Sequence, residues 1–431
     1  MKPGFYTIMA AQFFSSLADN ALLIASIALL IALEAPPEVT PMLKFFFTVS
    51  YVVLAAFVGA FADSRPKGKV MFMTNTIKIA GCMVLLFSEY LTQYSAEDYY
   101  IVLAAYGLVG LGAAAYSPAK YGILTELLPA EQLVIANGWI EGLTVTSIIL
   151  GTVVGGMLIN PKVAEVLLTM DILSFDSGID SAPEAAMVII ALFYVIAAVF
   201  NLYIPDTGAR YARQSTNPIT LVTDFVHCFK TLWRDKLGQI SLSVTTLFWG
   251  AGATLQFIVL KWAEHQLGLP LDKGAILQGM VAVGIALGAV TAARTISLKK
   301  SLQVLPFGVA MGFVVILMVF VHSTAMAYVL CVIIGAMAGY FVVPMNALLQ
   351  HRGHVMLSAG HSIAVQNFNE NLNILLMLGL YALMIRSDFS INTVIVLFGL
   401  FVSGTMALVM VWNRSNHRQQ NLDHLIGEAK H

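Results

Sequence analysis

The sequence predicts an all-α integral membrane protein of twelve transmembrane helices arranged as two six-helix halves. Three observations carry that prediction. Apolar runs of membrane-spanning length recur along the whole chain, the basic residues fall mostly on one side of those runs, and blocks from the first half reappear in the second.

Of 431 residues, 58% are hydrophobic and only 11% charged, and the mean hydropathy is +0.82. A water-soluble core cannot absorb that much apolar surface. A helix needs about 20 apolar residues to cross the hydrocarbon layer. Twelve runs meet that length, near 5–33, 42–62, 70–91, 99–127, 134–159 and 185–204, then 239–264, 274–296, 302–322, 325–349, 357–385 and 389–413. The first run lacks a small-residue cleavage site and is too long for a signal peptide, so it is expected to stay as a helix. A net charge of −1 with no basic run argues against a nucleic-acid partner. Cys82, Cys228 and Cys331 lie far apart, which argues against a disulfide framework.

With the N-terminus in the cytoplasm, sixteen Lys and Arg residues fall in loops and tails on that side and four (Lys44, Lys162, Lys273 and Arg386) on the other. This is the asymmetry of the positive-inside rule, and it puts both termini in the cytoplasm. The chain then divides into a bundle over residues 1–204, a cytoplasmic linker over 205–238, a second bundle over 239–413 and a cytoplasmic tail over 414–431. The linker is polar and carries an amphipathic helix from about Asn217 to Arg234. Within the first bundle, residues 161–184 form an extracytoplasmic insert with Glu165, Asp171, Asp176, Asp180 and Glu184 against Lys162. It is expected to be a solvated loop, with a lid over the pathway as the alternative.

The halves match in pieces. GAFADSR (59–65) pairs with GAVTAAR (288–294), and GLGAAAYSPAKYGIL around Pro118 pairs with GAMAGYFVVPMNALL around Pro344. Duplicated six-helix halves suit a transporter that rocks about a midplane site. Pro118 and Pro344 are expected to kink or end their helices. Gly284, Gly288 and Ala292 form a small-residue face that suits helix contact or, alternatively, a lateral opening.

Charges inside spans are costly and mark function or structural pairing. The first span carries Gln12, Ser15, Ser16, Asp19 and Asn20 at spacings of one helix face. The fourth span places Tyr116 and Lys120 four apart on one face. The fifth carries Asn137 and Glu141, and the eleventh carries Gln366, Asn367, Glu370, Asn371 and Asn373. Near the core of the first half, Asp19 and Glu141 stand against Lys78 and Lys120. Opposite charges of that kind suit a ligand that carries both signs. They equally suit ion pairs that only hold helices together. Lys78 lies about eight residues from the predicted cytoplasmic edge, within reach of the interface by snorkelling. His351, His354 and His361 lack partners at metal-ligand spacing, so no metal or cofactor is expected.

The loop GAFADSRPKGK (59–69) resembles the signature loop of the major facilitator superfamily, which implies that superfamily's fold and a gating latch at Gly59, Asp63 and Arg65. Ser64 stands where a base is usual, and Ala292 replaces the acidic residue in the second-half copy. More specifically, AQFFSSLADNALL (11–23), GAAAYSPAKYGILTEL (112–127), ANGWIEG (136–142), TTLFWGAGATL (245–255), GYFVVPMNALLQHRG (339–353) and AVQNFNENLNILLMLGLY (364–381) resemble the bacterial lysophospholipid transporter family. That resemblance implies a flippase of the bacterial inner membrane rather than an enzyme. It would take lysophospholipids such as lysophosphatidylethanolamine from the outer to the inner leaflet, for re-acylation by a separate acyltransferase/acyl-carrier-protein synthetase. Asp19, Asn20, Tyr116, Lys120, Glu141, Gln366, Asn367 and Glu370 are the expected substrate contacts, with Lys120 on the phosphate. The family carries a basic residue where Gln256 stands here. The alternative is a proton-coupled exporter of amphipathic small molecules, with Asp19 and Glu141 carrying protons.

Overall fold

Long apolar segments in a bilayer satisfy their own backbone hydrogen bonds as helices, and the described residues of the segments that hydropathy singled out are mostly helical. The structure is a computed structural model; it describes residues 3–36, 39–88, 99–169, 181–212, 214–269, 271–419, 422 and 425–426. Asp171, Asp176, Asp180, Arg213 and Lys430 lie outside the described residues.

The first six spans are α1 (Pro3–Ala32), the bent pair α2 (Val39–Val53) and α3 (Ala55–Asp63), α4 (Lys67–Leu86), α5 (Tyr99–Leu127), α6 (Leu133–Leu158) and α8 (Ala182–Leu202). Between the last two lies α7 (Pro161–Thr169), so the first part of the insert is a short helix with Ala164 packed inward, not an open loop. The linker helix α9 (Pro218–Arg234) begins where the Asn217 side chain accepts from the Ile219 N–H at 3.0 Å. The remaining spans are α10 (Gly238–Leu267), α11 (Leu271–Thr295), α12 (Leu305–Ile316) with 3-10 turns on either side, α13 (Thr324–Met356), α14 (Ala359–Arg386) and α15 (Ile391–Gln419). Among the described residues, eleven helices are long and apolar enough to cross a membrane, and the bent α2–α3 pair makes a twelfth span with a 65° break. The chain is a multi-pass membrane protein.

One expectation about these helices is narrowed and another corrected. Pro118 and Pro344 do not end their helices: α5 runs on to Leu127 and α13 to Met356. A proline removes one ladder bond, and a long packed helix tolerates that loss. Lys78 is no edge residue either. Because α4 starts at Lys67, Lys78 stands about midway along its 20 residues and is 2% exposed.

The chain divides into two compact units, residues 1–120 with 146–214 and residues 121–145 with 215–431. In the first, Ala18, Leu22, Ala25 and Leu29 of α1 pack with Leu85 of α4, Val109 of α5 and Ile190 and Tyr194 of α8. In the second, α11 and α13 cross on glycines. A Cβ on Gly284 or Gly288 would run into the carbonyl oxygens of Val332 and Ala336, and one on Gly335 or Gly339 into those of Val281 and Ile285. Ala292 is fully buried. The small-residue face is therefore a helix contact, with no gap for a lipid tail.

The second unit also ties its chain ends together through Arg352, which is 4% exposed. Its Nε donates to Asp235 Oδ2 at 3.1 Å, its Nη2 to Asp235 Oδ1 at 2.8 Å and its Nη1 to the Leu425 carbonyl at 3.0 Å. Leu422 and Ile426, on either side of Leu425 in sequence, are buried.

Candidate functional site: buried polar clusters in each unit

The polar face of α1 meets the polar face of α4 in the first unit. Ser15 and Asp19 are four apart on α1, and Asn75 and Lys78 are three apart on α4, so each helix presents two polar groups on one side. The Lys78 ammonium donates to Asp19 Oδ2 at 2.8 Å and to Ser15 Oγ at 3.0 Å. Ser15 Oγ in turn donates to Asn75 Oδ1 at 2.8 Å. From α8, the Tyr194 hydroxyl donates to the other carboxylate oxygen, Asp19 Oδ1, at 2.7 Å. The Lys78 ammonium also lies 5.0 Å from the ring centre of Tyr116 and 5.8 Å from that of Tyr194, over electron-rich faces. A lone ammonium in this apolar setting would cost several kcal/mol, and its carboxylate, hydroxyl and aromatic neighbours offset that cost.

Exposure separates the two charged partners. The Lys78 side chain is 2% exposed and the Asp19 side chain 19%. Asp19 is reachable, and Lys78 stands behind it. Asn75 Nδ2 and the Tyr116 hydroxyl are buried with no hydrogen-bond partner among the described residues. Asn20, next to Asp19, donates to the Ser16 carbonyl of its own helix at 2.8 Å. Lys120 is 9% exposed, one turn beyond Tyr116 on α5.

The second unit holds an amide and carboxylate chain across α6, α13 and α14. Asn346 Nδ2 donates to Glu141 Oε1 at 3.2 Å, and Gln366 Nε2 donates to Asn346 Oδ1 at 3.1 Å and to Glu370 Oε1 at 2.7 Å. One turn away, Asn137 and Gln350 exchange amide hydrogen bonds in both directions, each 2.9 Å long. Glu141, Gln366 and Glu370 thus come together through Asn346, whereas the sequence pattern groups Glu141 with Asp19, Lys78 and Lys120. Asn367 is buried on the adjacent face of α14, where its carbonyl accepts from Asn371 Nδ2 at 2.9 Å.

The loop after the second span carries the residues of the expected latch, Gly59, Asp63 and Arg65. Gly59 and Asp63 are buried on α3, and Asp63 pairs with Lys67, whose ammonium also donates to the Ala62 carbonyl at 2.9 Å. That ammonium stacks 4.7 Å from the ring centre of Tyr211. Arg65 is exposed, with its Nη1 at 2.9 Å from Met73 Sδ. The residues missed by sequence reasoning are Lys67, Tyr194 and Gln350. The signal for Lys67 was its four-residue spacing from Asp63.

Twelve spans with charges buried midway along apolar helices define a secondary-transporter type of membrane protein. The Major Facilitator Superfamily profile matches residues 8–372, and the chain belongs to that superfamily. It is 42% identical to "Lysophospholipid transporter LplT" of Yersinia enterocolitica over 387 residues, 90% of this chain and 88% of that protein. A protein of the same name from Yersinia pestis is 42% identical over 88% of this chain and 86% of its own length. That identity and coverage put the chain in the same family as these Yersinia proteins. Among solved structures, a bacterial homologue of the iron transporter ferroportin superposes with a TM-score of 0.73 at 13% identity, covering 97% of this chain and all of that one. The transporter FucP superposes with a TM-score of 0.71 at 13% identity, covering 96% of this chain and 98% of its own. These likenesses concern the fold alone.

Proposed function

We propose that this chain is a lysophospholipid flippase of the bacterial inner membrane, a carrier and not an enzyme. The observation that carries the proposal is the 42% identity, over 90% of the chain, to proteins named lysophospholipid transporter. The substrate would be a lysophospholipid such as lysophosphatidylethanolamine, taken from the outer to the inner leaflet by alternating access. A separate acyltransferase/acyl-carrier-protein synthetase would then restore the missing chain. Two six-helix halves, joined by a linker at 205–238, would rock in that cycle, with both termini in the cytoplasm.

Each unit offers its own chemistry for the head group. In the first, Lys120 supplies a cation for the phosphate, and Asp19 supplies an accessible carboxylate for an ammonium, with Asn20 and Tyr116 alongside. In the second, the amides of Gln366 and Asn367 serve head-group and glycerol oxygens, beside Glu141 and Glu370. Gly59, Asp63 and Arg65 belong to the gating loop in this reading, with Lys67 as the direct partner of Asp63. The exporter reading falls behind because the similar proteins carry the name of a lipid transporter.

Uptake of labelled lysophosphatidylethanolamine by purified protein in liposomes tests the proposal. Lys120→Ala and Asp19→Ala are expected to abolish uptake at normal expression. Undiminished uptake by both variants overturns the site assignment, and no uptake of any lysolipid by the unaltered protein overturns the function.

A further inference from the structure

The Asp19 carboxylate is held from two sides before any ligand arrives. Lys78 Nζ occupies Oδ2 at 2.8 Å and the Tyr194 hydroxyl occupies Oδ1 at 2.7 Å. A carboxylate has about four lone-pair positions, so about two remain for a ligand. The Asp19 side chain is 19% exposed and that of Lys78 2%, so the carboxylate residue is the member of the pair open to a ligand. Lys78 is itself pinned, through Ser15 Oγ at 3.0 Å and onward to Asn75 at 2.8 Å. The carboxylate therefore cannot turn without breaking bonds to two other helices, α4 and α8.

We propose that Lys78 and Tyr194 are positioning residues for head-group recognition, fixing the direction of the Asp19 carboxylate from behind without touching the substrate. The ligand class that suits the remaining lone pairs is a cationic group bearing N–H donors, because each such hydrogen completes an acceptor already aimed. Lys78 also keeps the empty cluster neutral, so a bound ammonium meets an oriented carboxylate rather than a mobile one. Preorganisation of this kind lowers the cost of binding more than it adds new contacts. The buried Tyr116 hydroxyl and Asn75 Nδ2, both unpartnered among the described residues, mark the same cluster as polar beyond what joining α1 to α4 requires. The inference rests on the proposal that Asp19 meets the head group.

The test measures KM and maximal rate of lysophosphatidylethanolamine uptake in liposomes for Asp19→Asn, Lys78→Gln, Tyr194→Phe and the doubles Asp19→Asn/Lys78→Gln and Asp19→Asn/Tyr194→Phe. Gel filtration scores the folded yield of each. Lys78→Gln and Tyr194→Phe are each expected to raise KM, Lys78→Gln by about tenfold, the scale of one charge-assisted contact. In the Asp19→Asn background neither is expected to raise it further, because both act through that carboxylate. An unchanged KM in folded Lys78→Gln or Tyr194→Phe overturns the proposal, and so do effects that multiply with Asp19→Asn. Should Lys78→Gln not fold, Tyr194→Phe decides alone, since it removes a single hydroxyl. A normal KM in Asp19→Asn is a different failure, that of the head-group reading itself.

Discussion

Asn137 and Gln350 are both fully or almost fully buried, and each is the other's donor and acceptor. Removing one partner strands the other's amide in an apolar setting, at a cost of about 1–3 kcal/mol. Asn137→Ala and Gln350→Ala should therefore each lower the thermal midpoint in detergent. The double variant should lose clearly less than the sum, because no orphan remains; fully additive losses would mean that the pair is not energetically coupled. The sequence made such residues visible as polar letters in apolar runs, and Asp19, Glu141, Gln366 and Glu370 stood out for that reason. It did not show which helix each one faces. Lys78 looked able to reach an interface while the span was drawn to 70–91, and only the true start of α4 at Lys67 places it mid-helix beside Asp19. Tyr194 carried no signal, because a tyrosine in a long apolar span reads as packing.

The crossing of α11 on α13 shows how much an element can depend on what side chains leave out. Gly284, Gly288, Gly335 and Gly339 bring backbone to backbone, so the two helices trade side-chain volume for close approach. Gly335→Leu is expected to remove folded protein from a size-exclusion profile. Gly379→Ala on α14, where an added Cβ meets nothing within 4 Å, should fold at full yield with equal or slightly higher thermal stability. Folded Gly335→Leu with native stability would contradict the backbone contact. Helix identity and number were readable from hydropathy alone. The 65° break at Leu54 was not, because VVLAAF contains neither proline nor glycine to announce it. Pro118 and Pro344 sit inside helices that continue past them, as the apolar runs 99–127 and 325–349 already implied.

Across the whole molecule, the distribution of lysines and arginines predicts a topology that labelling can check. A single reporter cysteine at Arg210 or Arg414, in a background with Cys82, Cys228 and Cys331 replaced, should react with an impermeant maleimide only when the vesicle interior is opened. Labelling of either from outside in right-side-out vesicles would invert the assignment. The division into units was less readable. Hydropathy marks where spans end, not what they pack on, and residues 121–145 of α5 and α6 group with the second unit through partners such as Gln350 and Asn346. Arg352 adds a matter of timing. It is made 117 residues after Asp235 and 73 residues before Leu425. During synthesis the bond to Asp235 can form well before the bond to the Leu425 carbonyl. The second unit thus gains this tie between distant stretches of its chain only after synthesis has passed Leu425.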